Sequence, residues 1–311
     1  MPFNRLVTGW RRLNMNLKIR KILALTVLAL MLCACVSANA DVEKNGLLDS
    51  AFSMLEEGNI FIERYNALTG AEVKPYFETG MPYFFGGKDF DRSMARYPEF
   101  SKKKCLETTT YYRKGSVYIE GFDCAGYASW LRMDNGLSDL PSLGDLLYKW
   151  GNWGKYYLWN NNSKYNRPMP PLDELKDEAQ VGDILVIHAR GNHILTYIGT
   201  LRDYGFTAEE VPALADYLDY PLVIHCGVSP VYGDRIQQLI DADTTGYFTN
   251  CVTTNGGVQV SIWGVPREAA DAHETVQGTD FDYFMINDGK QVMTIYDLTN
   301  VSAWRWLRIP Q

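Results

Sequence analysis

A cysteine stands between an acid and two small residues in Gly121-Phe122-Asp123-Cys124-Ala125-Gly126-Tyr127-Ala128-Ser129-Trp130-Leu131. Deprotonated, that thiol would be a nucleophile. A base is then needed to take its proton, and the chain has four histidines: His188, His193, His225 and His273. His193 begins one apolar run, His193 to Gly199, and His225 stands near the end of the next, Leu222 to Cys226. As neighbouring strands these runs would bring both rings to one end of a sheet. A Cys nucleophile, a His base and a polar group orienting the base form the minimal thiol-hydrolase arrangement. His188 lies beside a turn and His273 has no motif around it, so neither is given a role. Residue type alone argues the other way, because a lone Cys in an apolar helix is more often a buried structural thiol.

The elements that must position these groups are legible. Asp123 is a good N-cap, and Tyr127, Trp130 and Leu131 fall on one helical face. Cys124 is therefore expected in the first turn of a helix, where exposed N–H groups and the helix dipole favour an anion. Ala125 and Gly126 leave room for a substrate backbone. Ahead of this helix, Leu47 to Leu68 predicts a helix broken near Gly58 and ending at Gly70, followed by the aromatic segment Gly80 to Gly87. Behind it, Ile184 to His188 and His193 to Gly199 predict a β-hairpin. Strands are expected at Leu222 to Cys226, Val258 to Trp263, Tyr283 to Ile286, Val292 to Tyr296 and Trp304 to Ile309. Thr207 to Tyr217 predicts a short helix capped by Thr207. The polar stretch from 88 to 120 is expected to be a loop, and the Trp- and Tyr-rich region from Leu140 to Tyr165 an irregular subdomain. A helical start followed by a run of strands gives an α+β fold.

Residues 1–40 carry six basic residues and no acid, then the apolar run Ile22 to Leu32 and Ala38-Asn39-Ala40. This has the form of a secretory signal peptide. Leu32-Cys33-Ala34-Cys35 offers a second reading, a lipobox with lipid on Cys35 as the one attachment to a membrane. The chain would then divide into a leader (1–40), a helical segment (41–79) and a main domain (80–311) with insertions near 88–120, 140–180, 200–221 and 240–300. The whole chain has 30 Lys+Arg and 37 Asp+Glu. Losing the six leader bases leaves 24 against 37, a net charge of −13. That balance argues against nucleic acid and anionic lipid as partners. Cys105, Cys124, Cys226 and Cys251 would remain, which is no disulfide framework. One bridge among Cys105, Cys226 and Cys251 is compatible with the sequence, which does not choose the pair.

Five segments together resemble the NlpC/P60 cysteine peptidases. Gly80-Met81-Pro82-Tyr83-Phe84-Phe85-Gly86-Gly87 is similar to that family's G-x-P-Y-x-W-G-G, and Gly121 to Tyr127 to its F-D-C-S-G-F. Gly182-Asp183-Ile184-Leu185 resembles G-D-L-V, His193 to Gly199 resembles H-V-G-I-Y-L-G, and Val223-Ile224-His225-Cys226 resembles M-I-H-A. The resemblance implies a papain-like fold, with a nucleophile helix packed on an antiparallel sheet. It implies Cys124 as nucleophile, His193 as base and His225 as the orienting residue, with no metal or cofactor. Tyr83, Asp123 and Ala125 become the expected substrate contacts. The family cuts the γ-D-glutamyl–diamino acid bond of peptidoglycan stem peptides, which fits an exported, acidic protein. In some members the residue matching Asp123 pairs with the free amine of an N-terminal L-alanine. Phe85, Ala125 and Leu195 depart from the family pattern, where Trp, Ser and Gly stand. The long insertions leave the substrate more open than the chemistry. A catalytically silent wall-binding module and a thiol amidase or acyltransferase remain as alternatives. For the enzyme, a thiolate–imidazolium pair of Cys124 and His193 is expected.

Overall fold

The N-terminal helices show how local sequence sets their ends. Asn45 caps α1 (Gly46–Phe52) by accepting from the Leu47 N–H. Asn59 does the same for α2 (Ile60–Thr69) through Phe61, and α2 stops at Gly70, whose φ of 69° is left-handed. The break expected near Gly58 is thus a full separation into two helices, each with its own asparagine cap. A computed structural model describes residues 42–88, 102–106, 112–141, 145–146, 153–160, 170–188, 192–228, 230–254, 256–265, 275–277, 282–287, 290–296 and 303–310. The leader, its Cys35 lipobox and His273 lie outside these residues. So do parts of the 88–120, 140–180 and 240–300 insertions.

Residues 40–311 form one compact unit. Phe52 of α1 and Phe61 and Tyr65 of α2 share a buried core with Tyr127, Trp130 and Leu131 of α3 (Cys124–Asp134). The 41–79 segment therefore belongs to the same core as α3. Further along, the described residues include the helices α4 (Leu172–Glu178) and α5 (Pro230–Ala242).

The main sheet has nine strands. In chain order they are β3 (Tyr157–Asn160), β4 (Ile184–His188), β5 (His193–Thr200), β6 (Pro221–Val228), β8 (Gly256–Trp263), β9 (Thr275–Gln277), β10 (Asp282–Asn287), β11 (Lys290–Tyr296) and β12 (Ala303–Leu307). Their spatial order is β3-β12-β4-β5-β6-β8-β11-β10-β9. All neighbours are antiparallel except β8 and β11, which run parallel. The fold is α+β.

Alternation along the strands sorts side chains onto two faces. Ile184, Val186, Ile194, Ile224 and Cys226 meet the helices. Leu185, Leu195, Tyr197 and Val223 point the other way, into a cluster with Trp263, Trp304 and Trp306. Trp263 and Trp306 stack there with ring centroids 5.8 Å apart. A bulge between Tyr197 and Gly199 resets the alternation near the end of β5.

Asp183, directly ahead of β4, locks the closing strand in place. Its Oδ1 accepts from Arg308 Nε at 2.9 Å, and its Oδ2 from Arg308 Nη2 at 2.8 Å and Trp306 Nε1 at 3.1 Å. Oδ2 also accepts from the Gln180 N–H at 2.9 Å. Arg308 Nη2 donates as well to the Glu178 carbonyl. The acid of the Gly182-Asp183 motif is thus a structural tie between the start of β4 and the far end of β12.

Three expectations are corrected. The 88–120 stretch is more than a loop, since β1 (Lys102–Lys104) and β2 (Val117–Ile119) pair within it. They form a second sheet with β7 (Cys251–Val252), in the order β1-β2-β7. Thr207 and Glu210 do exchange capping bonds, yet no α-helix follows. Pro212 lacks the N–H such a helix would use, and the chain makes a 3-10 turn at Pro212–Tyr217 instead. Finally, no disulfide joins any of Cys105, Cys124, Cys226 and Cys251, which closes the bridge that the sequence left open. Among the described residues no helix is long and apolar enough to cross a membrane.

Candidate active site

The first turn of α3 is held from several sides. Asp123 is its N-cap in extended conformation, and Oδ1 accepts from the Gly126 N–H at 2.7 Å. Oδ2 accepts from the Gly86 N–H at 3.0 Å, so one carboxylate both caps the helix and holds the glycine turn beside it. The Asp123 N–H donates to the Gly87 carbonyl at 3.0 Å. That approach is so close that a Cβ on Gly126 would lie 1.9 Å from the Gly87 oxygen. Only glycine fits at this crossing. On the other side, Phe122 donates to the Pro82 carbonyl and Phe84 to the Phe122 carbonyl. The buried Cys226 thiol also donates to the Phe122 carbonyl, at 3.3 Å. Segment 80–87 and strand β6 together fix the backbone from which Cys124 projects.

Cys124 is buried at the helix N-terminus. Burial pushes its thiol up to about 12, and the Asp123 carboxylate adds to the rise. The backbone N–H groups of Ile194, Ala125 and Cys124 act in the opposite direction but do not prevail. The Ile194 N–H contact places Cys124 against the first residues of β5. Tyr83 is buried near it, its phenol raised first by burial and then by Cys124 and Cys226. Ala125 is partly buried against the β4–β5 side of the core. Asp123 is raised by burial against the pull of its backbone donors and Lys88.

His193 opens β5, opposite Ile187 of β4. Its Nε2 lies 2.9 Å from Nδ1 of His225, with the rings nearly perpendicular. His225 sits within β6 and not at its end, because the strand runs on to Val228. The sequence reading placed it one turn of ladder too late. Alternation puts residues 193 and 225 on the tryptophan face, with residue 227 between them. A Cβ on Gly227 would stand 3.0 Å from His225 Nδ1 and 3.3 Å from His193 Nε2. The missing side chain there makes room for the imidazole pair. His225 Nε2 lies 2.7 Å from Oγ of Ser261 on β8, and Ser261 is fully buried.

The protonation state differs from expectation. Burial holds His193 down to about 4, and burial followed by the charge of His193 holds His225 well below its ordinary value. With the thiol raised, the resting pair is neutral thiol and neutral imidazole. The helix terminus and the nearby N–H groups do not outweigh desolvation. Iodoacetamide alkylation of Cys124 should therefore accelerate steadily with pH up to and beyond 9. A flat rate between about pH 5 and 8 would mean an ion pair instead. The same burial has a stability sign. An imidazole that titrates near 4 when folded and at 6.5 when unfolded makes the protein less stable as pH falls through that window, since the unfolded chain binds the extra proton.

The structure thus brings Cys124, Asp123, Ala125 and Tyr83 together at the helix start, and pairs His193 with His225 at the adjoining strands. His188 ends β4 opposite Ala303. Sequence reading missed Gly227 and Ser261. Ser261 carried a signal, as a hydroxyl that with Gln259 alternates with the β-branched Val258, Val260 and Ile262. Gly227 carried none. Among the described residues no group of three His, Cys, Asp or Glu could hold a metal ion. No protein-family model, curated protein or solved structure matches this chain.

Proposed function

We propose that the protein is a secreted or envelope-attached cysteine endopeptidase of the NlpC/P60 type, with a papain-like domain, acting on peptidoglycan stem peptides. The observation that carries this reading is the placement of Cys124. It lies at a helix N-terminus against the start of β5, where His193 is already bonded to His225. The five motif segments in family order support the same reading.

In this mechanism the Cys124 thiol gives its proton to His193 as the sulfur attacks the scissile carbonyl. Neutral partners make transfer concerted with attack. The Cys124 N–H at the helix start stabilises the developing oxyanion. His193 then protonates the leaving amine, and water releases the acyl group from the thioester. His193 uses Nδ1 for these transfers, because Nε2 is engaged with His225.

Asp123 supplies substrate selectivity. Its carboxylate is desolvated, which costs free energy until a cation faces it. The free α-amine of an N-terminal L-alanine is such a cation. The test compares kcat/KM for L-Ala-γ-D-Glu-diamino acid peptides with and without N-acetylation, in wild type and Asp123→Asn. Asparagine still caps helices, so the variant isolates the charge. The free amine should be preferred by roughly tenfold, and the variant should lose that preference. If acetylation alters neither rate, Asp123 is a cap and nothing more. If no stem peptide is cut, the endopeptidase reading fails, and product masses then separate acyl transfer or amide release from silent binding.

A further inference from the structure

We infer that Ser261 is a positioning residue for the imidazole pair, setting the tautomer of both rings from β8. The inference rests on the proposed peptidase only for its kinetic consequence. The geometry is a chain of two short contacts, His193 Nε2 to His225 Nδ1 at 2.9 Å and His225 Nε2 to Ser261 Oγ at 2.7 Å. Ser261 and His225 are buried on adjoining strands, and His193 is half-buried.

Proton counting decides what the chain can do. Each contact needs one donor and one acceptor. For His193 to accept a proton on Nδ1, its Nε2 must keep its hydrogen and donate to His225 Nδ1. That nitrogen must then be an acceptor, so His225 carries its hydrogen on Nε2. The hydroxyl of Ser261 is the group placed to accept it. In that state Ser261 accepts from the Nε2–H form of His225, and His225 Nδ1 accepts from the Nε2–H form of His193. A methyl in place of the hydroxyl takes that acceptor away from a buried nitrogen. His225 then gains by moving its hydrogen to Nδ1, where it would point at His193 and remove the acceptor His193 needs.

Gly227 completes the arrangement, because the rings can approach over a residue with no side chain. β8 therefore contributes a polar group to a pair that the sequence assigns to β5 and β6 alone.

The test uses full mature protein with 15N-labelled histidine, comparing wild type, Ser261→Ala and Ser261→Thr. In wild type both rings should be found as Nε2–H tautomers by long-range 15N–1H correlation. The His193 and His225 signals are identified by their loss in His193→Gln and His225→Gln. Ser261→Ala should shift His225 toward the Nδ1–H form and lower kcat on the order of tenfold with KM unchanged. Ser261→Thr keeps a hydroxyl and should restore both readouts. Wild-type tautomers in Ser261→Ala would overturn the inference. So would a threonine variant that folds yet behaves like alanine. If wild type cuts no wall peptide but Ser261→Ala still changes the tautomer, the positioning role stands and the peptidase reading fails.

Discussion

Cys124→Ala should yield a folded protein with no measurable turnover. In the proposed mechanism the thiol forms and breaks the covalent bond, so its loss removes the pathway and not merely a contact. A fall of more than about 10⁴-fold in kcat is expected. His193→Ala should be as severe, because the proposed mechanism gives the proton of the thiol to that ring. His225→Ala should be milder. It leaves the base in place but removes the partner 2.9 Å from Nε2 that fixes its orientation. Folding should survive the cysteine change, since the backbone around residue 124 is held by Asp123, Gly87 and Phe122 and not by the thiol. The check is product mass analysis of wall peptide digests with circular dichroism on the same samples. Undiminished cleavage by Cys124→Ala would end the thiol mechanism.

Asp183→Ala should be the most damaging single change to stability away from the catalytic groups. The carboxylate is almost fully covered and receives two nitrogens of Arg308, the Trp306 indole and the Gln180 N–H. Removing it strands those donors and releases the end of β12. Part of the loss is softened because Arg308 is about one-third exposed and can turn to water. We expect about 3 kcal/mol, or a Tm lower by roughly 6–12 °C. Asp183→Asn should fall between wild type and alanine, as it keeps an acceptor and loses the charge. A Tm within about 2 °C of wild type for the alanine variant would show that the tie contributes little.

Much of this site is legible in the sequence because its signals are local. Asp123 before Tyr127, Trp130 and Leu131 fixes the helix start, and the β4–β5 hairpin follows from two apolar runs around a turn. What stayed hidden depends on register. Ser261 shares the face of His225 because His225 pairs with Gln259, and a one-residue slip between β6 and β8 would turn Ser261 to the other face. Gly227 matters only because two rings cross above it. The charge state was misread for a related reason. A helix N-terminus can be seen in the sequence, but desolvation of the thiol comes from distant segments folding over it. β1 and β2 went unseen as well, because three lysines in a row carry no strand alternation. Their order comes from pairing and from contacts such as Lys103 over the Phe84 ring.

The small sheet also bears on how this chain could have been assembled. β1 and β2 come from the stretch before α3, while β7 comes from the stretch between β6 and β8. Lys102 of the first stretch rests on the Tyr247 ring of the second. The two excursions are therefore one lobe written in two places. Deleting the first would take from β7 the neighbour that gives it a sheet. Deleting the second would bare the far side of β2. A lineage or an engineer trimming this chain must remove both together, or supply a new edge for whichever half is kept.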